Sequence, residues 1–477
     1  MTRRLEMEGR HAEAAGVYGQ LLSRHPDWLD GWYNLGQALW RARRFEEAMA
    51  AYQRALDGGI ARPEEVHLNR SVLLARHLAR PDDARHELQQ ALRHHPGYTP
   101  AWLNLGNLYE QTGDREQAAL AYERTLELSP GHALALSRLA GLQRCESAHA
   151  PIVGRLRQAL DNRSRHPAER ADLGFALGKA LDDAGAYDEA FAAYTTANQD
   201  CRLASGVAPY DAAACEAHVR RLVDTFRAAP AGAADGSASP IFICGLFRSG
   251  STLIERVLAA HPRVTAGGEL DLVPALAAAH LPAGAAWPVL DDAAGLARLA
   301  RGYQAAVGQR FPGADVLTDK RPDNFLHVGL IKAMFPRARI VLTQRHPLDN
   351  GLSMYFLHLG RTMPYATDLA HLGHWISQHD RLCAHWRELY GDDVLTLDYD
   401  RFVRNPETEA RRLLAFCGLA WDPAVLDFHQ LGGPVQTASL WQVRQPLYQH
   451  ASGRWRHYAR HLAPLERALA MGRARTG

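Results

Sequence analysis

Lysine is nearly absent from this chain. Its 477 residues carry 54 basic side chains, and only Lys179, Lys320 and Lys332 are lysine; the others are arginine. Cysteine is also scarce. The six, at Cys145, Cys201, Cys215, Cys244, Cys383 and Cys417, have none of the paired spacings of a disulfide frame or a zinc site. They read as free thiols, and a reducing, cytoplasmic location is expected. The 24 histidines form no metal-ligand spacing, so no metal is expected. No run approaches the ~20 apolar residues that cross a bilayer. The opening MTRRLEMEGRHAEA lacks the apolar core of a signal peptide. A net charge of +2, with no basic run, argues against a nucleic-acid partner.

What the chain has in its first half is self-similarity, with a 34-residue period over residues 1–204. Trp32, Leu35, Gly36, Ala48, Tyr52 and Ala55 recur as Trp102, Leu105, Gly106, Ala118, Tyr122 and Thr125. Leu68, Ala84, Leu88, Ala91 and Pro96 form a degraded copy between them. Partial copies precede (Gly9, Ala14, Tyr18, Pro26) and follow (Gly178, Gly185, Ala190, Tyr194, Ala197). This is the tetratricopeptide pattern, one helix pair per repeat, in an array of about five repeats that is degenerate over 133–170. Such arrays present concave surfaces to peptides or partner helices. The run AAPAGAADGSASP over 228–240 is rich in small residues, Gly and Pro, and reads as a linker. The expected division is therefore 1–204 for the array, 205–239 for a connecting helix and linker, and 240–477 for a second domain.

In that domain, apolar runs at 241–244, 264–266, 315–317, 339–342 and 394–397 alternate with helical stretches. The pattern predicts a parallel sheet covered on both faces, with ligands at the carboxyl ends of its strands. The first strand leads into Gly245-Leu-Phe-Arg-Ser-Gly-Ser-Thr252 and then a helix, the layout of a phosphate-binding loop. A nucleoside triphosphatase loop would carry lysine where Ser251 stands; here the cation is Arg248, inside the turn. The loop suits a phosphate or sulfate without the metal–nucleotide apparatus.

The run FRSGSTLIERVLAAHP followed by GGEL resembles the 5′-phosphosulfate loop of sulfotransferases, most closely the protein-tyrosine sulfotransferase branch. The resemblance extends through Lys320, Arg345, Ser353, Tyr399 and QVRQP at 442–446, covering roughly 240–460. It implies a P-loop-like three-layer α/β/α domain, with 3′-phosphoadenylyl sulfate as donor and adenosine 3′,5′-bisphosphate as product. By the same resemblance, Arg248, Ser249, Gly250, Ser251 and Thr252 hold the 5′-phosphosulfate, and Arg345 with Ser353 clamps the 3′-phosphate. Tyr399, Ser439, Gln442, Val443, Arg444, Gln445, Pro446 and Arg454 belong to segments that close over the nucleotide; the family has lysine in place of Arg454. Lys320 takes the position of the catalytic lysine that supports the leaving group, with Arg248 beside it, and Glu269 that of the catalytic base.

The departures matter too. The eukaryotic relatives have a membrane anchor, which is not expected here, and an arginine for acidic peptides where Asp271 stands; Leu357 replaces a nucleotide-contacting arginine. The expected acceptor is a protein or peptide tyrosine, read by the repeat array. A small molecule, lipid or glycan is the alternative, and a scaffold with a degenerate enzyme domain is the alternative of another class. The oligomeric state stays open.

Overall fold

A computed structural model describes residues 1–78, 80–228, 239–281, 287–359, 362–431 and 452–474. It divides into two compact units, Met1–Arg144 and Cys145–Gly477. The first is helical throughout, with antiparallel pairs such as Leu29–Arg41 with Phe45–Asp57 and Thr99–Thr112 with Arg115–Leu128. The repeat signature has a steric cause. A β-carbon on Gly36 would lie 2.5 Å from the Tyr52 ring, and one on Gly106 equally close to Tyr122. The glycine on the first helix thus makes room for the buried tyrosine on the second. Trp32 and Trp102 each donate from Nε1 to a proline carbonyl six residues back, Pro26 and Pro96, at 2.9 Å, which fixes the turn into each pair. In the degraded copy Leu88, equally buried, replaces the tyrosine.

The second unit contains a five-stranded, wholly parallel sheet: β1 Ile241–Gly245, β2 Val264–Ala266, β3 Val316–Lys320, β4 Ile340–Gln344 and β5 Val394–Asp398, in the order β2-β3-β1-β4-β5. All five strands read from the sequence are present, within three residues at each end. Alternation along the strands sends side chains to two separate cores. Phe242, Cys244, Ile340 and Leu342 join one, and Ile241, Ile243, Val341, Leu395 and Leu397 the other. Helices cover both faces, giving three layers. No helix among the described residues is long and apolar enough to cross a membrane.

This unit also includes helices that carry the last repeat signature. Gly178, on Pro167–Asp183, faces the ring of Tyr194, on Tyr187–Ser205, as Gly36 faces Tyr52. The position 204, where the periodicity ends, therefore lies inside the second unit. That helix pair also packs on the sheet domain: Tyr194 stacks on Phe356 at 3.9 Å, and Asn198 Nδ2 donates to the Tyr355 carbonyl at 2.9 Å. Val219, Leu222 and Phe226, in and just after the helix Ala212–Thr225, sit in the same core as Phe242.

A fragment starting at Cys145 is expected to unfold cooperatively, whereas one starting at Gly206 is not. Removing the helix pair uncovers Tyr355, Phe356 and Tyr458, at roughly 1.5–3 kcal/mol per ring. Three rings are comparable to the entire ~5–15 kcal/mol stability of a domain. Thermal melts of both fragments by circular dichroism check this; a cooperative melt of 206–477 would contradict it.

Candidate functional site

Strand β1 ends at Gly245, where φ is 149° and a β-carbon would lie 2.4 Å from the Thr343 carbonyl of β4. The chain then makes a tight turn whose carbonyls are taken up by side chains. Ser249 Oγ donates to Leu246 O and lies 2.6 Å from Thr343 Oγ1, and Asn350 Nδ2 donates to Phe247 O at 2.8 Å. Arg248 sits in the left-handed region at φ 66°, which costs a non-glycine residue about 1 kcal/mol. The helix Ser251–Ala259 follows, with Gly250 (φ 102°) as its N-cap. Glycine offers no side-chain oxygen there, so the N–H groups of the first turn have no capping acceptor, and the helix dipole adds to their pull on an anion. Ser249 and Ser251 are buried and Thr252 is half-buried at this turn.

Three strand ends converge around the turn. Arg345 follows β4, next to β1 in the sheet. Its guanidinium lies 5.0 Å over the ring of Tyr399, which begins the helix after β5, and its Nη1 reaches the Arg248 carbonyl at 3.5 Å. Tyr399 also packs on Gly250, where a β-carbon would lie 2.7 Å from its ring. Arg248 Nε donates to Ser353 Oγ at 3.2 Å. The fold thus gathers Arg248, Gly250, Arg345, Ser353 and Tyr399, five candidates from four separate stretches of sequence.

Lys320 ends β3 on the other side of β1, in register with Ile243. Its side chain is 1% exposed and its ammonium donates to Glu269 Oε1 at 2.6 Å; the glutamate side chain is 37% exposed. The Lys320 amide donates to Gly268 O at 3.0 Å, so backbone and side chain both tie the Gly-Gly-Glu turn to β3. Glu255 braces the same turn from behind, with Oε1 accepting from the Gly268 amide and from Thr318 Oγ1, each at 2.9 Å. Burial pushes the Glu255 carboxyl above its ordinary range, and the Lys320 charge opposes that. Asp319 accepts from Tyr303 OH at 2.7 Å and Asn324 Nδ2 at 3.3 Å; burial pushes it up to about 7, against the Tyr303 hydrogen bond.

Arg454 is placed differently from the other candidates. Its guanidinium pairs with Asp182, on the helix Pro167–Asp183, and lies 5.5 Å over Phe356. Its neighbours Gly453 and Trp455 donate their amides to Asp349, at 2.7 and 2.8 Å, in the helix after β4. Ser439, Gln442, Val443, Arg444, Gln445 and Pro446 lie outside the described residues. Two of the three lysines have ordinary structural partners: Lys179 pairs with Asp183, and buried Lys332 bridges Asp393 and the Pro336 carbonyl. Asp271 is held by Arg321 at 2.5 Å.

Sequence reasoning missed Glu255, Asn350, Asp349 and Asp182. Glu255 left one trace: it is the only carboxylate in the apolar run from Leu253 to Leu258. Asn350 and Asp349 leave none, because their partners are more than 100 residues away.

Residues 240–423 match the sulfotransferase family, and residues 5–64 and 71–133 match the tetratricopeptide repeat. The chain joins tetratricopeptide repeats to a sulfotransferase-family domain. An uncharacterized protein of Aquifex aeolicus is 30% identical over 431 residues, 86% of this chain and 55% of that protein. Protein-tyrosine sulfotransferase 1 of Danio rerio is 28% identical over 239 residues, 45% of this chain and 65% of the relative. Protein-tyrosine sulfotransferase 2 of Gallus gallus is 25% identical over 234 residues, 45% of this chain and 62% of the relative. The chain spans between about half and two thirds of these relatives. The resemblance of the sulfotransferase-family domain to the tyrosine branch thus has support beyond the loop motif.

Asp319 sets a pH dependence. An unfolded aspartate ionises near pH 3.9, but this one holds its proton up to about 7. Between those values the folded state binds more protons than the unfolded state, so the Asp319 contribution to stability falls as pH rises. Relative to Asp319→Asn, the wild-type protein should lose stability between about pH 4 and pH 7 and then level off. Denaturant melts at pH 5 and pH 8 read the difference; a gap between the two proteins that does not move with pH would contradict the buried-acid description.

Proposed function

We propose that the sulfotransferase-family domain moves a sulfuryl group from 3′-phosphoadenylyl sulfate to an acceptor hydroxyl, a protein or peptide tyrosine in the first instance. The observation that carries this is the contact of buried Lys320 with half-exposed Glu269, one strand away from an anion-binding loop. A proton acceptor and a compact cation stand together where a sulfuryl group would be delivered.

The division of labour follows. Arg248 and the amides of the Ser251–Ala259 helix N-terminus hold the 5′-phosphosulfate, and Arg345 with Ser353 takes the 3′-phosphate, a planar fork beside a hydroxyl. At pH 7 only about one tyrosine hydroxyl in 10³ is ionised. Glu269 accepts the hydroxyl proton as the acceptor oxygen bonds to sulfur and the bond from sulfur to the bridging oxygen breaks. The electron pair stays on that oxygen, as part of adenosine 3′,5′-bisphosphate, where Lys320 and Arg248 meet the growing charge. Support that strengthens in the transition state lowers the barrier. No step calls on a metal.

One observation favours a second acceptor class. Asp271, held by Arg321, puts a carboxylate where the tyrosine branch has an arginine for acidic peptides. An acceptor without acidic flanks, such as a small phenol, fits that site. The scaffold reading has less behind it, since Lys320, Glu269, Arg248 and Arg345 are all present.

Two variants test the assignment. Arg345→Ala should weaken adenosine 3′,5′-bisphosphate by roughly 10- to 100-fold, the cost of a charge-assisted hydrogen bond, and leave a nucleotide without the 3′-phosphate nearly unaffected. Equal losses for both in calorimetry would reassign Arg345. Glu269→Gln should cut turnover by about 10²–10⁴ with donor binding intact, and the loss should shrink with fluorinated, more acidic tyrosines. The same factor across all acceptors would make Glu269 a substrate-positioning residue instead of a base.

A further inference from the structure

We propose that the last repeat is part of the donor site: Asp182, on a repeat helix, positions the 452–461 segment beside the end of β4, acting through Arg454 and Tyr458. This rests on the reading of Arg345 and Arg454 as donor-binding groups.

The segment is held from two sides. On the catalytic side, Asp349 takes the amides of Gly453 and Trp455, and Asp400 takes the Ser452 hydroxyl and the His346 amide. The Trp455 ring stacks on His346, the residue after Arg345, at 5.3 Å with planes 3° apart. On the repeat side, one carboxylate serves two donors. Asp182 accepts from the Arg454 guanidinium and from the hydroxyl of fully buried Tyr458, and is itself 10% exposed. Aromatic contacts extend the grip: Tyr187 stacks on His457 at 4.4 Å, and Phe191 on His461 at 4.3 Å. The pair that holds Asp182 keeps the repeat signature, Gly178 against Tyr194, and Tyr194 stacks on Phe356 beneath Arg454.

The chemistry is that of an oriented arginine. A guanidinium has five donors in a fixed fork, and a carboxylate that takes one edge fixes where the others point. Tyr458 is fully buried, so loss of Asp182 leaves its hydroxyl without that acceptor and the Arg454 fork without its orienting partner, and the segment loses its anchor on the repeat side. A repeat helix, not the sulfotransferase core, therefore sets the geometry of an arginine that the donor meets. The last repeat thus serves the donor.

The test uses the full chain and adenosine 3′,5′-bisphosphate in calorimetry. Asp182→Asn should weaken binding about tenfold, Asp182→Glu should recover part of that, and Arg454→Ala combined with Asp182→Asn should cost no more than the worse single change. In turnover the donor KM should rise while kcat stays within about twofold. Unchanged affinity, additive losses, or a lower melting temperature with an unchanged donor KM would each overturn the proposal. Should Asp182→Asn fail to fold, Tyr458→Phe removes one of the two bonds and keeps the ring; its bisphosphate affinity should fall, and an unchanged one overturns the proposal. A wild-type chain that does not bind the bisphosphate overturns the donor reading itself, whereas wild-type binding that survives Asp182→Asn overturns only the role of the repeat.

Discussion

A buried ammonium governs the arrangement of the site. Lys320 is almost wholly withdrawn from water, and a charge so placed persists only with a partner close by. Glu269 supplies that partner, and the fold works to keep it there. The Gly268 carbonyl takes the Lys320 amide, Glu255 takes the Gly268 amide, and Thr318 ties Glu255 back to β3. Glu255 comes from the helix that begins at the turn after β1, so one rigid element connects that turn with the lysine–glutamate pair. The parallel sheet does the rest: β3, β1 and β4 are adjacent, and their carboxyl ends deliver Lys320, the Arg248 turn and Arg345 side by side.

Much of this was legible in the sequence, for a physical reason. Buried parallel strands must be continuously apolar, so Ile241 to Cys244 announced β1, and the glycines after it announced the turn. Lysine in an otherwise arginine-only chain singled out Lys320, although Lys179 and Lys332 proved to be ordinary ion-pair partners. The repeats were legible because Gly36 and Tyr52 are one steric unit repeated at Gly106 and Tyr122. What stayed hidden were contacts between distant segments. Nothing near Asp182 announces Arg454, 272 residues later, and nothing near Asn350 announces the Phe247 carbonyl.

The division of the chain teaches the same lesson. Periodicity in sequence reports how a helix packs on its own repeat partner, and by that criterion Gly178 and Tyr194 belong with the array. Membership of a compact unit depends on what else the helices meet: Asn198 and Phe191 pack on Tyr355 and His461, and the Tyr194 ring touches both Gly178 and Phe356. The repeat motif thus continues into the sulfotransferase unit, where its last copy packs on the sheet domain.

The most direct test of the account is transfer by Lys320→Ala. With 3′-phosphoadenylyl sulfate and a tyrosine peptide or phenol, the wild-type chain should add one sulfonate, read as a mass shift on the acceptor. Lys320→Ala should still bind adenosine 3′,5′-bisphosphate and transfer at least about a hundredfold more slowly. Transfer at the wild-type rate by a folded Lys320→Ala protein would contradict the claim that the buried lysine and its glutamate are the centre of the chemistry.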